Sequence, residues 1–334
     1  MITKLRQHKV TVAVIGVLCV ICGILSGETY NALIISLAGI YAIATTGLDL
    51  LFGYTGQISF GHAAFFAIGS YGTTLLSMRL GIPTLLSVIL ASVIAMAAGI
   101  VIALPASKLV KHFLSLLTIA FGQIIYLLVN SWSGLTGGAG GISGIPDFNL
   151  FGLELNTNRS YMVFIWILAA VILLVKQNII HSRVGRGFIA IRENTHAAQG
   201  MGVNVRYYKI MAFAISAAMA GLAGAMYAHL VGFISPETYN ATQSTLFMTM
   251  LLFGGIATAS GPFVGAAILL LVKEVFQSFA SYQVLIYGIF ILIVLFFFPN
   301  GTVGILKSIK ARIARRKNTG GKTKQKGEKA HAYN

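Results

Sequence analysis

Runs of about 20 predominantly apolar residues, the length that crosses a bilayer as a helix, recur along the whole sequence of 334 residues. The composition agrees, since 57% of the residues are hydrophobic and 10% are charged, whereas soluble domains carry about 25% charged residues. The sequence therefore predicts an all-α fold, a polytopic integral membrane bundle of helices, and excludes a soluble domain with one anchor.

Hydropathy and glycine or proline turns divide the chain into about ten predicted transmembrane helices. The predicted spans are 10–27, 30–52, 58–78, 84–105, 112–131, 161–178, 209–231, 244–259, 261–281 and 283–299. The eighth span is short enough to be half of a broken helix. Residues 1–306 thus form the predicted transmembrane domain, and the polar, basic residues 307–334 a cytoplasmic tail predicted to be disordered.

Basic residues are concentrated in four parts of the sequence. Three precede the first span, two are Lys108 and Lys111, six run from Lys176 to Lys209, and ten lie from Lys307 onward, which makes 21 of the 24. Because basic residues mark the cytoplasmic side, they predict a multi-pass protein of the bacterial cytoplasmic membrane with both termini in the cytoplasm. They also account for the net charge of +16 without nucleic acid, and the tail is expected to contact anionic membrane lipid.

The sequence carries no convincing enzyme motif. The tail contains GGKT, but Arg316 stands where a phosphate-binding loop has its first glycine, and no apolar strand precedes it. We therefore predict no catalytic residue, no bound cofactor and no metal site in this chain.

A basic segment of about residues 181–208 predicts a docking element between two spans. Residues Ile189 to Gln199 predict a short helix that Gly200 and Gly202 end. The sequence HAAQGMG resembles the E-A-A-x-x-x-G pattern of ABC importer permeases, with His196 in place of the glutamate. The candidate coupling residues are Arg186, Arg192, Glu193, His196, Ala197, Ala198 and Gly202. From the spacing alone, a solvated basic loop that only sets the topology remains equally open.

A glycine-rich stretch, residues 53–72, combines small residues with a few polar ones inside the apolar sequence. Small residues permit close helix packing, and ionisable groups at membrane depth usually face a cavity or a partner. A similar stretch at 252–266 matches the glycine-interrupted segments that flank a transporter pathway. The candidate residues for a pathway or gate are Asp49, Gln57, Ser59, Gly61, His62, Gly255 and Glu274. The alternative is that Asp49 and His62 cap or cross-link helices at the cytoplasmic interface and that Glu274 makes a structural hydrogen bond.

Several motifs in order, from about residue 30 to 306, resemble the LivM-type permease subunit of branched-chain amino-acid ABC importers. They include GLDLLFGYTGQISFGHAAFFAIGSY, LTGGAGGISGIP, FGGIATASGPFVGAAIL and FFFPNGTVGIL. The resemblance implies a permease that moves branched-chain or related hydrophobic amino acids across the membrane. It also implies a second homologous permease, an extracytoplasmic substrate-binding protein, and two cytoplasmic ATPase subunits that use ATP and Mg.

Other functions remain open from the sequence. Importers of urea, amides or other amino acids share this permease type, and an ion-driven secondary transporter or a structural membrane protein is the alternative from another class. For the glycine-rich stretch, we expect leucine at Gly61 or Gly69 to abolish uptake while assembly stays largely intact.

Overall fold

The computed structural model describes residues 29–275, apart from 110, 151, 152 and 156, together with the isolated residue 288. The predicted spans 10–27 and 283–299, the end of the span 261–281, and the tail 307–334 lie outside these residues.

Five helices in the described residues are long and apolar enough to cross a membrane. They are α1 (Thr29–Leu48, continued by a π-helical turn, Asp49–Gly53), α3 (Thr84–Ala106), α4 (Lys111–Ser131), α6 (Asn158–His181) and α9 (Val205–Val231). They confirm the predicted spans 30–52, 84–105, 112–131, 161–178 and 209–231.

Three further helices have 14 to 17 residues within the described part of the chain. They are α2 (His62–Met78), α10 (Ala241–Gly254) and α11 (Gly261–Val275). The 14 residues of α10 extend for about 21 Å, less than the hydrocarbon core of about 30 Å. Helix α10 corresponds to the predicted eighth span, and its length is consistent with the prediction that this span is half of a broken helix.

The two ends of the bundle differ in structure. Two short helices, α7 (Arg183–Glu193) and α8 (Thr195–Gly200), precede α9 at what we call the basic end. At the strand end lie α5 (Ser133–Thr136), two 3₁₀ turns (Gly138–Gly140 and Pro236–Tyr239), and the strands β1 (Ile142–Ser143), β2 (Asn149–Leu150), β3 (Leu153–Glu154) and β4 (Phe233–Ile234). Strand β1 pairs with β4, and β2 with β3, both antiparallel. The all-α prediction therefore holds except for these two-residue strands.

Helix α9 packs against α1, α2 and α3, and glycines let its backbone touch that of α2. A Cβ atom on Gly69 would lie 1.9 Å from the carbonyl oxygen of Gly221, and one on Gly224 would lie 1.9 Å from that of Phe66. Helices α10 and α11 cross in the same way, since a Cβ on Gly265 would lie 1.8 Å from the oxygen of Met250. Small residues at such crossings let dispersion forces act over the whole contact.

The expectation that leucine at Gly61 or Gly69 would leave assembly intact is wrong. A Cβ on Gly61 would lie 2.6 Å from the carbonyl oxygen of Thr118, and the backbone atoms that block both positions cannot move aside as a flexible side chain could. Leucine would therefore separate packed helices before it affected any transport step.

We predict that Gly69→Ala lowers the free energy of unfolding by about 1–3 kcal/mol, the usual cost of overpacking. Thermal unfolding of the detergent-purified protein measures the change. Gly134→Ala is the control, because a Cβ there meets nothing within 4 Å. Equal melting temperatures for the two variants would contradict the close crossing of α2 and α9.

Candidate functional site

Helices α7 and α8 begin at capping side chains. The hydroxyl of Ser182 accepts a hydrogen bond from the amide of Val184 at 3.1 Å. The side chain of Asn194 accepts bonds from the amides of His196 and Ala197, both at 3.0 Å. Such caps satisfy amide groups that a helix start leaves free. The prediction of one helix over Ile189 to Gln199 is wrong for this reason: Asn194 has an extended backbone, which ends α7 and starts α8.

The two short helices bury one side and expose the other. Phe188, Ile191 and Ala198 are buried, and Ala198 thus anchors α8 to the bundle. The predicted coupling residues on the other side are exposed: Arg186, Arg192, Glu193, His196 and Ala197. Met201 beside them is 85% exposed, and Gly202 follows with a φ of +79°. We call this exposed side the docking face.

Arg192 connects α7 to the end of α1. Its guanidinium donates a hydrogen bond to the carbonyl oxygen of Gly53, the last residue of the π-helical turn. Gly56, which has a φ of +70°, also lies close to the Arg192 side chain. A Cβ atom on Gly56 would be 3.6 Å from Arg192 Cγ. The glycine-rich stretch therefore begins directly against the docking helices.

Four residues before Gly53, Asp49 forms a fully buried ion pair with Lys176 of α6. Lys176 Nζ lies 2.6 Å from Asp49 Oδ2, and both side chains are 0% exposed. The other carboxylate oxygen accepts the amide of Ala257 at 2.7 Å, and Nζ also donates to the carbonyl oxygen of Thr258 at 2.9 Å. We call these contacts of Asp49 and Lys176 with Gly53, Ala257 and Thr258 the Asp49 junction.

The connection between α10 and α11, residues 255–260, has an unusual backbone at this junction. Gly255 has a φ of +110°, and Ala257 has a φ of +54°, which is rare for a residue with a side chain. The hydroxyl of Thr258 donates to the carbonyl of Gly255 at 2.8 Å and accepts the amide of Gly261 at 3.0 Å. The left-handed geometry of Ala257 costs about 1–2 kcal/mol, and the bond from its amide to Asp49 stabilises it.

His62 lies in a second polar group, farther into the bundle. Its Nε2 atom is 2.7 Å from the hydroxyl of Ser216, which donates to the carbonyl of Gly47, and its Nδ1 atom is 3.2 Å from the hydroxyl of Ser59. Ser216 lies 11 residues after Val205, about 16 Å along α9. His62 therefore cross-links α2, α9 and α1 inside the bundle, and the link reaches α1 at Gly47, two residues before Asp49.

The other predicted pathway residues lie in different places. The Gln57 amide donates to the Thr55 hydroxyl at 2.9 Å and the Lys209 carbonyl at 3.4 Å, while its buried Oε1 atom has no hydrogen-bond partner within the described residues. Glu274 accepts a hydrogen bond from the Tyr30 hydroxyl at 2.5 Å. Tyr30 precedes Asp49 by 19 positions, about 28 Å along α1.

The structure thus places Asp49 beside the connection that contains Gly255, and it links Arg192 to the same turn through Gly53. It groups Ser59, Gly61 and His62 next to Ser216, and it leaves Glu274 at the far end of α1.

Sequence reasoning missed Lys176, Ser216 and Tyr30. The charge analysis counted Lys176 among the basic residues of the cytoplasmic side, whereas the structure shows its side chain fully buried against Asp49. The sequence did contain one signal, because Lys176 falls inside the predicted span 161–178. A lysine within a span needs an acidic partner, and Asp49 is an acidic residue inside another predicted span. Ser216 and Tyr30 carry no signal, because serine and tyrosine are common in membrane helices.

Residues 31–298 match the family model described as the permease component of branched-chain amino acid transport systems. The chain belongs to this family. It is therefore a multi-pass permease of the ABC transporter class, without a nucleotide-binding domain of its own.

Relatives of this permease have names that agree with the family. It is 29% identical over 291 residues to the high-affinity branched-chain amino acid transport system permease protein LivM of Escherichia coli K12. The matched region covers 80% of this chain and 68% of the relative. It is 28% identical over 289 residues to LivH of the same organism, with 81% and 93% covered. A probable LivM of Methanocaldococcus jannaschii is 24% identical over 317 residues, with 79% and 90% covered.

We predict that Lys176→Met alone lowers the free energy of unfolding by about 3–5 kcal/mol, because it leaves a buried carboxylate unpaired. The double variant Asp49→Leu with Lys176→Met should recover most of this loss, because no buried charge remains. Thermal unfolding in detergent compares the three proteins. A double variant as unstable as the single one would contradict the dominance of the ion pair.

Proposed function

We propose that this chain is the membrane-spanning permease subunit of an ATP-driven importer of branched-chain or related hydrophobic amino acids. The observation that carries the proposal is the match of residues 31–298 to the permease family. The names of LivM and LivH supply the substrate class. A permease of this family draws its energy from ATP hydrolysis in separate subunits, so ATP and Mg bind to those subunits and this chain itself binds no cofactor.

We propose a second, homologous permease as the partner within the membrane. The chain is similar to both LivM and LivH of Escherichia coli, and both are named as permease proteins of a high-affinity branched-chain amino acid transport system. An extracytoplasmic binding protein then delivers the substrate, and two cytoplasmic ATPase subunits bind one permease each.

The docking face of α7 and α8 is the proposed contact with the ATPase. It combines exposed charges, Arg186 and Glu193, with the exposed apolar side chain of Met201. Its buried side and its caps fix the two helices to the bundle, so a partner that pushes on the face moves the bundle. The bond from Arg192 to Gly53 passes that motion to α1.

The starts of α2 and α10 are the proposed border of the pathway. The Ser244 hydroxyl, in the first turn of α10, accepts the amide of Ala63, in the first turn of α2, at 2.9 Å. Irregular segments, 54–61 and 235–240, lead to these helix starts. Non-helical backbone at membrane depth is tolerated where protein or a cavity surrounds it, and helix N-termini inside transporters point toward substrate sites. Gln57, Ser59, Gly61 and His62 keep their predicted pathway role in this proposal.

The test is ATPase activity in lipid nanodiscs that contain the chain, its permease partner and two ATPase subunits. We expect substrate-loaded binding protein to stimulate hydrolysis, and we expect Arg186→Glu with Glu193→Arg to reduce the stimulation about tenfold, a typical coupling between sites. Lys108→Glu is the control, since Lys108 is also exposed at the basic end but lies outside α7 and α8.

Different ligands in the binding protein identify the substrate in the same assay. Stimulation by urea or amides, and none by branched-chain amino acids, would contradict the substrate class. Gradient-driven uptake by the chain alone, without association with an ATPase, would contradict the whole proposal.

Orientation has its own prediction. In a variant without Cys19 and Cys22, we expect a cysteine at position 200 to react with a membrane-impermeant thiol reagent from the cytoplasmic side only. A cysteine at position 134 should react from the outside only. Both glycines there have open space around them, so the substitutions fit the fold. Labelling of right-side-out and inverted vesicles measures this, and the reverse pattern would contradict a cytoplasmic docking face.

A further inference from the structure

An unbroken series of contacts leads from the docking helices to the connection between α10 and α11. Arg192 of α7 donates a hydrogen bond to the carbonyl of Gly53. Gly53 is the last residue of the π-helical turn, and Asp49 is the first. Asp49 in turn holds the amide of Ala257, and its partner Lys176 holds the carbonyl of Thr258. These contacts join segments that are far apart in sequence, and each contact includes a backbone group.

The middle of this series has little freedom to deform. A Cβ on Gly53 would lie 2.1 Å from Asp49 Oδ1 and 2.9 Å from the amide nitrogen of Ala257, so the three groups are packed against one another. The ion pair is buried in a medium of low polarity, where an electrostatic contact is stronger than in water. A shift of the turn therefore carries the residue 257–258 backbone with it.

The far end of the series, in contrast, can change conformation. Ala257 is the described residue other than glycine with a positive φ, a conformation that is unfavourable for a residue with a side chain, and loss of its bond to Asp49 would remove a contact that stabilises it. The connection also separates two helices, α10 and α11, that cross through Gly254 and Gly265. A change at residues 255–260 therefore alters how α10 meets α11.

We infer that the Asp49 junction transmits movement of the docking helices to the α10–α11 connection, and that Asp49 and Lys176 are positioning residues for ATP-coupled transport. The inference rests on the proposed function. It adds a defined route inside the permease, which leads from Arg192 to Ala257. It also assigns different roles to two contacts of Asp49: the hydrogen bond to the Ala257 amide couples the segments, and the ion pair with Lys176 stabilises the fold.

Two double variants distinguish a coupling role from a structural one, because both remove the buried charges. Asp49→Asn with Lys176→Met keeps a side-chain oxygen for the Ala257 amide, whereas Asp49→Leu with Lys176→Met does not. In the reconstituted complex, substrate moved per ATP hydrolysed should fall about tenfold or more in the leucine variant, while ATP hydrolysis continues. The asparagine variant should recover most of this loss.

Tyr30→Phe is the matched control, because it breaks the contact of α1 with Glu274 of α11 at the other end of the same helix. It should leave the ratio of transport to hydrolysis unchanged. Equal ratios in the leucine and asparagine variants would overturn the inference. A wild-type complex without stimulated hydrolysis would instead contradict the proposed function, so the two failures are distinguishable.

A second measurement does not depend on assembly of the leucine variant. Hydrogen exchange at the Ala257 amide, followed in the wild-type complex, should change at least about fivefold when a non-hydrolysable ATP analogue binds the ATPase subunits. The change should disappear in Arg192→Met, which leaves the Asp49 junction itself in place. Exchange that responds to nucleotide equally in both proteins, or in neither, would overturn the inference.

Discussion

The contact on which the basic end of the bundle depends is the buried ion pair between Asp49 and Lys176. Two charges removed from water cost several kcal/mol each, and only good geometry with further hydrogen bonds offsets that cost. Here both partners also hold backbone groups of residues 257 and 258. The pair therefore fixes the positions of α1 and α6 and, through the same two side chains, the shape of the α10–α11 connection.

Two kinds of contact hold the helices together. Backbone contact through glycines joins α2 to α9 and α10 to α11, and the α2–α9 crossing adds a polar contact, since the Ser70 hydroxyl donates to the carbonyl of Gly224 at 2.7 Å. Specific hydrogen bonds join α1 to its neighbours, at Asp49 near the basic end, at Gly47 through Ser216, and at Tyr30 near the other end. Helix α1 is thus held by specific polar contacts at several points along its length.

The sequence predicts much of the fold but little of the site. Long apolar runs identify the five spans because a bilayer requires about 20 apolar residues for each crossing. Of the residues that the sequence predicts, Asp49 contacts the α10–α11 connection that contains Gly255, and Arg192 reaches the same turn through the carbonyl of Gly53. The sequence cannot supply their partners, because the pairing of Asp49 with Lys176 links residues 127 positions apart. Nor does periodicity reveal the break at Asn194, which depends on one side chain capping the next helix.

That separation along the chain has a consequence for biogenesis. At a synthesis rate of about 5–20 residues per second, the ribosome needs roughly 6–25 s to proceed from Asp49 to Lys176. During this interval the carboxylate has no lysine partner, and the Ala257 amide that it also binds is made later still. The contacts that fix this end of helix α1 can therefore form only after α6 has been made, so that the order of translation sets the order in which they form.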